Sequence, residues 1–165
     1  MFVKISRQAW LWYVVAVSVM LLDQLSKVWI SNHLTYGEPV VLTSFFNFML
    51  LHNHGAAFSF LAEAGGWQRW FFALIAVVVS ALLIIWIHRS AEKNKREAFA
   101  LAFILGGAIG NLYDRVVLGH VVDFIVFHYQ DHYWPAFNLA DSAITLGAFI
   151  LIAEMFLTKE KKSNA

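Results

Sequence analysis

The chain has 165 residues, 60% of them hydrophobic, and a mean hydropathy of +0.63. That apolar share is well above a soluble domain's and points to an integral membrane protein of one domain, residues 1–165. The net charge of +1 says little, since its distribution matters more than the sum; no nucleic-acid partner is expected, and the absence of cysteine excludes disulfides, thiolate nucleophiles and cysteine metal centres.

Four stretches are long and apolar enough to cross a bilayer, which takes roughly 20 residues of helix. The first runs from about Trp10 to Ile30 and carries Asp23, Gln24 and Lys27 in its last third. Lys4 and Arg7 precede it as in a signal peptide. No small-x-small cleavage site follows, and Asp23-Gln-Leu-Ser-Lys27 continues the helical pattern, so an uncleaved span is expected. An outer loop over about 31–69 comes next. Pro39–Leu42 and Phe45–Leu51 are rich in β-branched and aromatic residues between turn signals, which predicts short strands in a small outer sheet. Asn53-His-Gly-Ala-Ala-Phe58 places Gly55 among small residues, suited to a tight turn or close backbone approach.

The second span, Trp70–Ile87, is uncharged. The third, Ala98–Tyr113, is short and rich in Gly and Ala, with Gly106, Gly107 and Gly110 offering a face for close helix contact. It ends in Asn111, Asp114 and Arg115, and a second outer loop covers about 114–135. Within that loop Val116–His128 reads as a strand or a surface-lying segment carrying Asp123. Trp67, Trp70, Tyr133 and Trp134 mark the interface. The fourth span, Ala136–Leu157, has Asn138 and Asp141 near its start.

Lysines and arginines set the orientation. Lys4 and Arg7, then Arg89, Lys93, Lys95 and Arg96, then Lys159, Lys161 and Lys162 flank the spans on one side, whereas Ser31–Gly66 has none. The expected fold is therefore an all-α membrane protein with four transmembrane helices and both termini cytoplasmic. A small β-rich outer (periplasmic) subdomain is expected between helices 1 and 2.

On that topology Asp23, Lys27, Asn111, Asp114, Arg115, Asn138 and Asp141 collect at the outer ends of the spans. Asp141 lies about five residues inside its span, roughly 7 Å deep. Ionisable groups within a membrane are costly and mark a functional site by default. Asp23–Lys27 at i,i+4 and Asn111–Asp114 at i,i+3 also suit structural roles, as ion pair and interhelical amide. Asp123 and Asp141 have no basic neighbour in sequence that accounts for them.

His52, His54, His120, His128 and His132 share the outer side but show no helical metal-binding signature, so neither metal nor cofactor is expected. If Asp123 and Asp141 meet, they would share one proton. The ionised carboxylate would take a proton from water while the protonated one polarises a carbonyl, as in aspartic proteases. Spacing alone leaves two alternatives open: a small proton-coupled transporter using the same carboxylates, and a non-catalytic assembly protein glued by them.

Five motifs in order carry a family resemblance: Asp23-Gln-Leu-Ser-Lys27, Asn53-His-Gly-Ala-Ala-Phe58, Gly106–Arg115, Val121-Val-Asp-Phe124 and Phe137-Asn-Leu-Ala-Asp-Ser142. Together they resemble bacterial lipoprotein signal peptidase, signal peptidase II, over most of the chain. The resemblance implies an inner-membrane aspartyl endopeptidase with its active site at the periplasmic side. It would cut diacylglyceryl-modified prolipoproteins just before the lipid-bearing cysteine.

By motif, Asp123 and Asp141 would be catalytic. Asn53, Gly55, Asn111, Arg115 and Asn138 would line or brace the site, and Asp23 and Lys27 would hold the first helix against it. Asp114 is a rival carboxylate, read as a brace because Arg115 and Asn111 stand beside it. Membrane lipids, the lipid-modified substrate and globomycin-type inhibitors are the implied partners, and action as a monomer is expected.

Overall fold

The computed structural model describes residues 6–55 and 65–163. Ala56, Ala57 and Phe58 of the Asn53–Phe58 motif, and Lys4, lie outside the described residues.

Helix α1 spans Arg7–His33, α2 Trp67–Ser90, α3 Lys95–Val117 and α4 Leu139–Ser163. All four have stretches long and apolar enough to cross a membrane. α1, α2 and α3 run beyond their apolar cores, and the starts of α1 and α3 are set by side-chain caps. Ser6 accepts a hydrogen bond from the Ala9 N–H (3.2 Å) to start α1, and the Asn94 side chain accepts from the Arg96 and Glu97 N–H groups to start α3. The fourth helix begins at Leu139, three residues later than its apolar pattern.

The glycine-rich third span becomes the central helix. It packs extensively against α1, α2 and α4, whereas α1 touches α2 and α4 only lightly. A Cβ on Gly106 would lie 2.5 Å from the Ala16 carbonyl oxygen of α1, and one on Gly107 would collide with the Ala140 carbonyl oxygen of α4. These two positions bring α1 and α4 against α3 at backbone distance, the small-residue packing that helices use in lipid. Outward faces are apolar, with Leu25, Leu74, Leu82 and Phe149 well exposed, as a lipid solvent requires.

Strands β1 (Pro39–Thr43), β2 (Phe46–Asn53), β3 (Val121–Tyr129) and β4 (His132–Tyr133) form one antiparallel sheet in that order. The expected subdomain between helices 1 and 2 is thus half of the sheet. The second outer loop supplies the other half, and Val116–His128 splits into the end of α3 and most of a strand. Val122 and Phe124 of β3 pack with Leu50 against Ile30 near the end of α1, which seats the sheet on the bundle.

At the other end, the Tyr13 hydroxyl donates to the Ile84 carbonyl (3.0 Å) and the Asn94 amide donates to Glu154 (3.0 Å). The start of α1, the α2–α3 turn and the later part of α4 therefore lie together, away from the sheet.

Candidate active site

Asp123 and Asp141 are 18 positions apart, and the intervening chain doubles back along β3 to bring them together. The Phe137 carbonyl accepts from the Phe124 (3.0 Å) and Ile125 (2.8 Å) N–H groups, and the Phe137 N–H donates to the Ile125 carbonyl (3.1 Å). That pairing fixes the residue before α4 beside Asp123. Asn138 follows as the helix cap. Its side-chain oxygen accepts from the Asp141 N–H (2.9 Å), and its own N–H donates to Asp141 Oδ2 (3.3 Å). This is a reciprocal capping box with Asp141 in the first turn, where the helix dipole favours a negative charge.

One asparagine then links both carboxylates. The Asn138 amide donates to Asp123 Oδ1 at 2.7 Å while its backbone and carbonyl oxygen hold Asp141. Asn53, at the end of β2, donates to Asp123 Oδ2 (3.0 Å), and its side-chain Oδ1 accepts from the Gly55 N–H. Asn111 on α3 donates to Asp141 Oδ1 (2.8 Å). Asp123 is only 2% exposed. Burial, and next the charge of Asp141, push its carboxyl up from 3.8 to about 7, against the pull of Asn53, Asn138 and Lys27.

A cavity of about 570 Å³ opens beside this pair, with Asp141, Asn53, Asn111 and Arg115 as its polar wall and Trp134 and Phe137 among its apolar lining. Asp123 does not face it directly. Asn53 does, with its amide on Asp123.

A second network stands behind the first. Lys27 Nζ donates to Asp23 Oδ2 (2.8 Å), Asp114 Oδ2 (2.8 Å) and Asn111 Oδ1 (2.9 Å), using all three ammonium protons. Asp23 Oδ1 accepts from the Ala140 N–H (2.9 Å), so a carboxylate from α1 satisfies a free amide in the first turn of α4. Asp114 also accepts from Gln24 (2.9 Å) and from the Val122 N–H (3.2 Å), joining α1, α3 and β3.

The neighbour expected to occupy Asp114, Arg115, turns elsewhere. It donates to the Gly55 carbonyl (3.1 Å) and the Asn111 carbonyl (3.3 Å) and lies over the Phe72 ring. Lys27 is the cation on Asp114.

The sequence singles out Gln24 as a polar residue of the first span but gives it no role; its amide reaches Asp23, Asp114 and the Gly110 carbonyl. Its signal was an amide inside an apolar span, next to an acid already singled out. Among the histidines, His52 stacks on His120 (centroids 3.9 Å) with His54 beside it, and His128 stacks on Tyr133. Burial and the neighbouring imidazoles hold His52 and His120 below the usual histidine range. Among the described residues no set of three His, Asp or Glu side chains is placed to hold a metal ion.

Residues 15–157 match the family model described as Signal peptidase (SPase) II. The chain is 64% identical over 161 residues to the lipoprotein signal peptidase of Cellvibrio japonicus, covering 98% of this chain and 95% of that protein. It is 56% identical to the lipoprotein signal peptidase of Pseudomonas putida, covering 98% and 93%. Among solved structures it resembles a bacterial membrane enzyme determined by the in meso method at 2.3 Å resolution. The TM-score is 0.81 at 31% identity, over 90% of this chain and 89% of that one.

Proposed function

The chain belongs to the signal peptidase II family of membrane peptidases, and we propose that it is an aspartyl endopeptidase whose catalytic pair is Asp123 and Asp141. Its substrate is a prolipoprotein already carrying diacylglycerol on a cysteine, and the bond cut is the one just before that cysteine. The protein sits in the inner membrane with the sheet and the site on the periplasmic side, as the distribution of Lys and Arg supports. The observation that carries this reading is Asn138, which holds Asp123 by its amide and Asp141 by its backbone and side-chain oxygen.

Up to about pH 7 Asp123, the more buried of the two, keeps the shared proton, and as substrate takes the place of its Asn53 contact at the cavity wall it donates a hydrogen bond to the scissile carbonyl oxygen. Asp141 faces the cavity as the carboxylate, its charge met by the amides of Asn111 and Asn138. It takes a proton from a water molecule as that water attacks the carbonyl carbon. The tetrahedral diol then collapses. Asp141 returns the proton to the leaving nitrogen of the lipid-bearing cysteine while Asp123 recovers its own.

Lys27, Asp23, Asp114 and Gln24 position this pair. They lock α1 to α3, to β3 and to the first turn of α4 without touching substrate. Arg115 holds the chain at Gly55 where β2 leaves the site.

A transporter needs ionisable groups along the whole crossing. The fully buried ones among the described residues, Asp23, Lys27, Asp114 and Asp123, all lie at the sheet end.

The lipid requirement is tested with two precursors differing only in the diacylglyceryl group on the cysteine. The purified protein is expected to release signal peptide from the modified precursor and to leave the unmodified one intact. Equal cleavage of both would overturn the substrate assignment while leaving the catalytic pair standing.

A further inference from the structure

At the end of the bundle away from the sheet, α2 and the start of α3 form a groove of about 560 Å³. Leu82, Ile85, Trp86 and Arg89 recur at helical spacing on one face of α2, and Lys93 in the following turn continues that line onto the groove wall. Leu82, Ile85 and Trp86 are exposed, so they make an apolar strip against lipid. The Trp86 indole N–H donates to Glu97 of α3, which holds the ring across the two helices as a fixed floor.

Indoles settle at the headgroup level of a bilayer. Arg89 lies three residues farther along the helix, about 4.5 Å beyond the indole, at phosphate depth. Among the described residues neither Arg89 nor Lys93 has a carboxylate within ion-pair distance. Glu97, the groove's acid, is engaged by the indole, and the groove stays net cationic.

We propose that this groove binds one acidic phospholipid, with its phosphate between Arg89 and Lys93 and an acyl chain along Leu82, Ile85 and Trp86. Charge complementarity selects the ligand. A zwitterionic lipid would set its own ammonium among these cations, whereas phosphatidylglycerol presents a net negative head. By orientation the lipid comes from the leaflet opposite the catalytic pair, so the site differs in ligand and place from substrate binding. Basic residues here also direct membrane insertion, but insertion alone does not require a fixed indole floor or an apolar strip beneath the charges.

The test is thermal unfolding of the purified protein in neutral-detergent micelles doped with dioleoylphosphatidylglycerol or dioleoylphosphatidylcholine. Phosphatidylglycerol is expected to raise Tm at roughly tenfold lower mole fraction than phosphatidylcholine, with a response that weakens in high salt. The doubly substituted R89Q/K93Q protein should lose that preference, and R89K/K93R, which keeps both charges, should retain it.

Equal stabilisation by the two lipids would overturn the proposal, leaving a groove that takes any acyl chain. So would a preference undiminished in R89Q/K93Q, which would place the lipid elsewhere. A wild-type protein indifferent to phosphatidylglycerol would leave the cations with insertion as their only role.

Discussion

Asn in place of Asp123 or of Asp141 is expected to lower the rate of signal-peptide release on the order of 10³-fold, with the protein still folded and membrane-inserted. Each change keeps the side chain's size but turns one of its two acceptor oxygens into an NH2, so one of Asn53 and Asn138 loses its acceptor at Asp123, and either the Asn111 amide or the Asn138 N–H loses its acceptor at Asp141.

The two substitutions differ in their effect on stability. Burial and the charge of Asp141 hold Asp123 at about 7 in the native protein, against an ordinary value of 3.8. Between about pH 4 and pH 7 the native state therefore binds a proton that the unfolded chain releases. This group's contribution to stability falls as pH rises through that window and levels off above it. At ~1.4 kcal/mol per pH unit, the displacement corresponds to an upper limit of about 4 kcal/mol. Asp123→Asn removes the penalty but gives up one accepted hydrogen bond at every pH, so its Tm relative to the wild type's should rise from about pH 5 to about pH 8. A dead enzyme that gains stability on the wild type as pH rises would mark Asp123 as a site kept for chemistry at the expense of folding. Thermal melts and cleavage assays on the same preparations check both halves.

The second large effect falls on Lys27. Its ammonium is shared by Asp23 and Asp114, and all three side chains are at most 3% exposed. Lys27→Met leaves two buried carboxylates facing each other with no cation, and breaking a buried pair in this way costs about 3–5 kcal/mol. The damage spreads to the site, because Lys27 also holds Asn111 Oδ1, and Asn111 holds Asp141.

Little folded, active protein is expected from Lys27→Met. The double variant K27M/D114N, which removes one of the stranded charges, should recover part of the lost Tm. If Lys27→Met melted with the wild type, the network would contribute nothing to the fold. If K27M/D114N were no better than the single variant, the loss would come from packing rather than charge.

The membrane spans were readable because lipid imposes a simple rule of apolar length, and α3 was readable as a contact helix because three glycines in five residues serve little else. The clustering of Asp23, Lys27, Asn111, Asp114, Asn138 and Asp141 followed from orientation, since charges at the ends of successive spans must share a level. The partners within the cluster did not follow. Asp114 took Lys27 from another helix rather than the adjacent Arg115, because at i,i+1 two helical side chains diverge.

The approach of Asp123 to Asp141 depends on Phe137 pairing with β3, and a backbone pairing leaves no trace in residue type. The same pairing explains why α4 starts at Leu139: Phe137 is spent on the sheet and Asn138 on the cap. The joining of both outer loops into one sheet was likewise a long-range event between segments that each looked like short strands. Orientation put Asn138 at the level of the cluster and its motif made it a lining or bracing residue, but neither showed that it touches both carboxylates.

The central claim is that Asp123 and Asp141 work as a pair holding one proton, and the pH dependence of kcat/KM on a lipid-modified precursor tests it most directly. Activity should fall about tenfold per pH unit above roughly pH 7, as Asp123 gives up the proton needed at the scissile carbonyl. A rate that stayed level to about pH 9 with the protein still folded would show that no such proton is needed, and the pair would not be the catalyst.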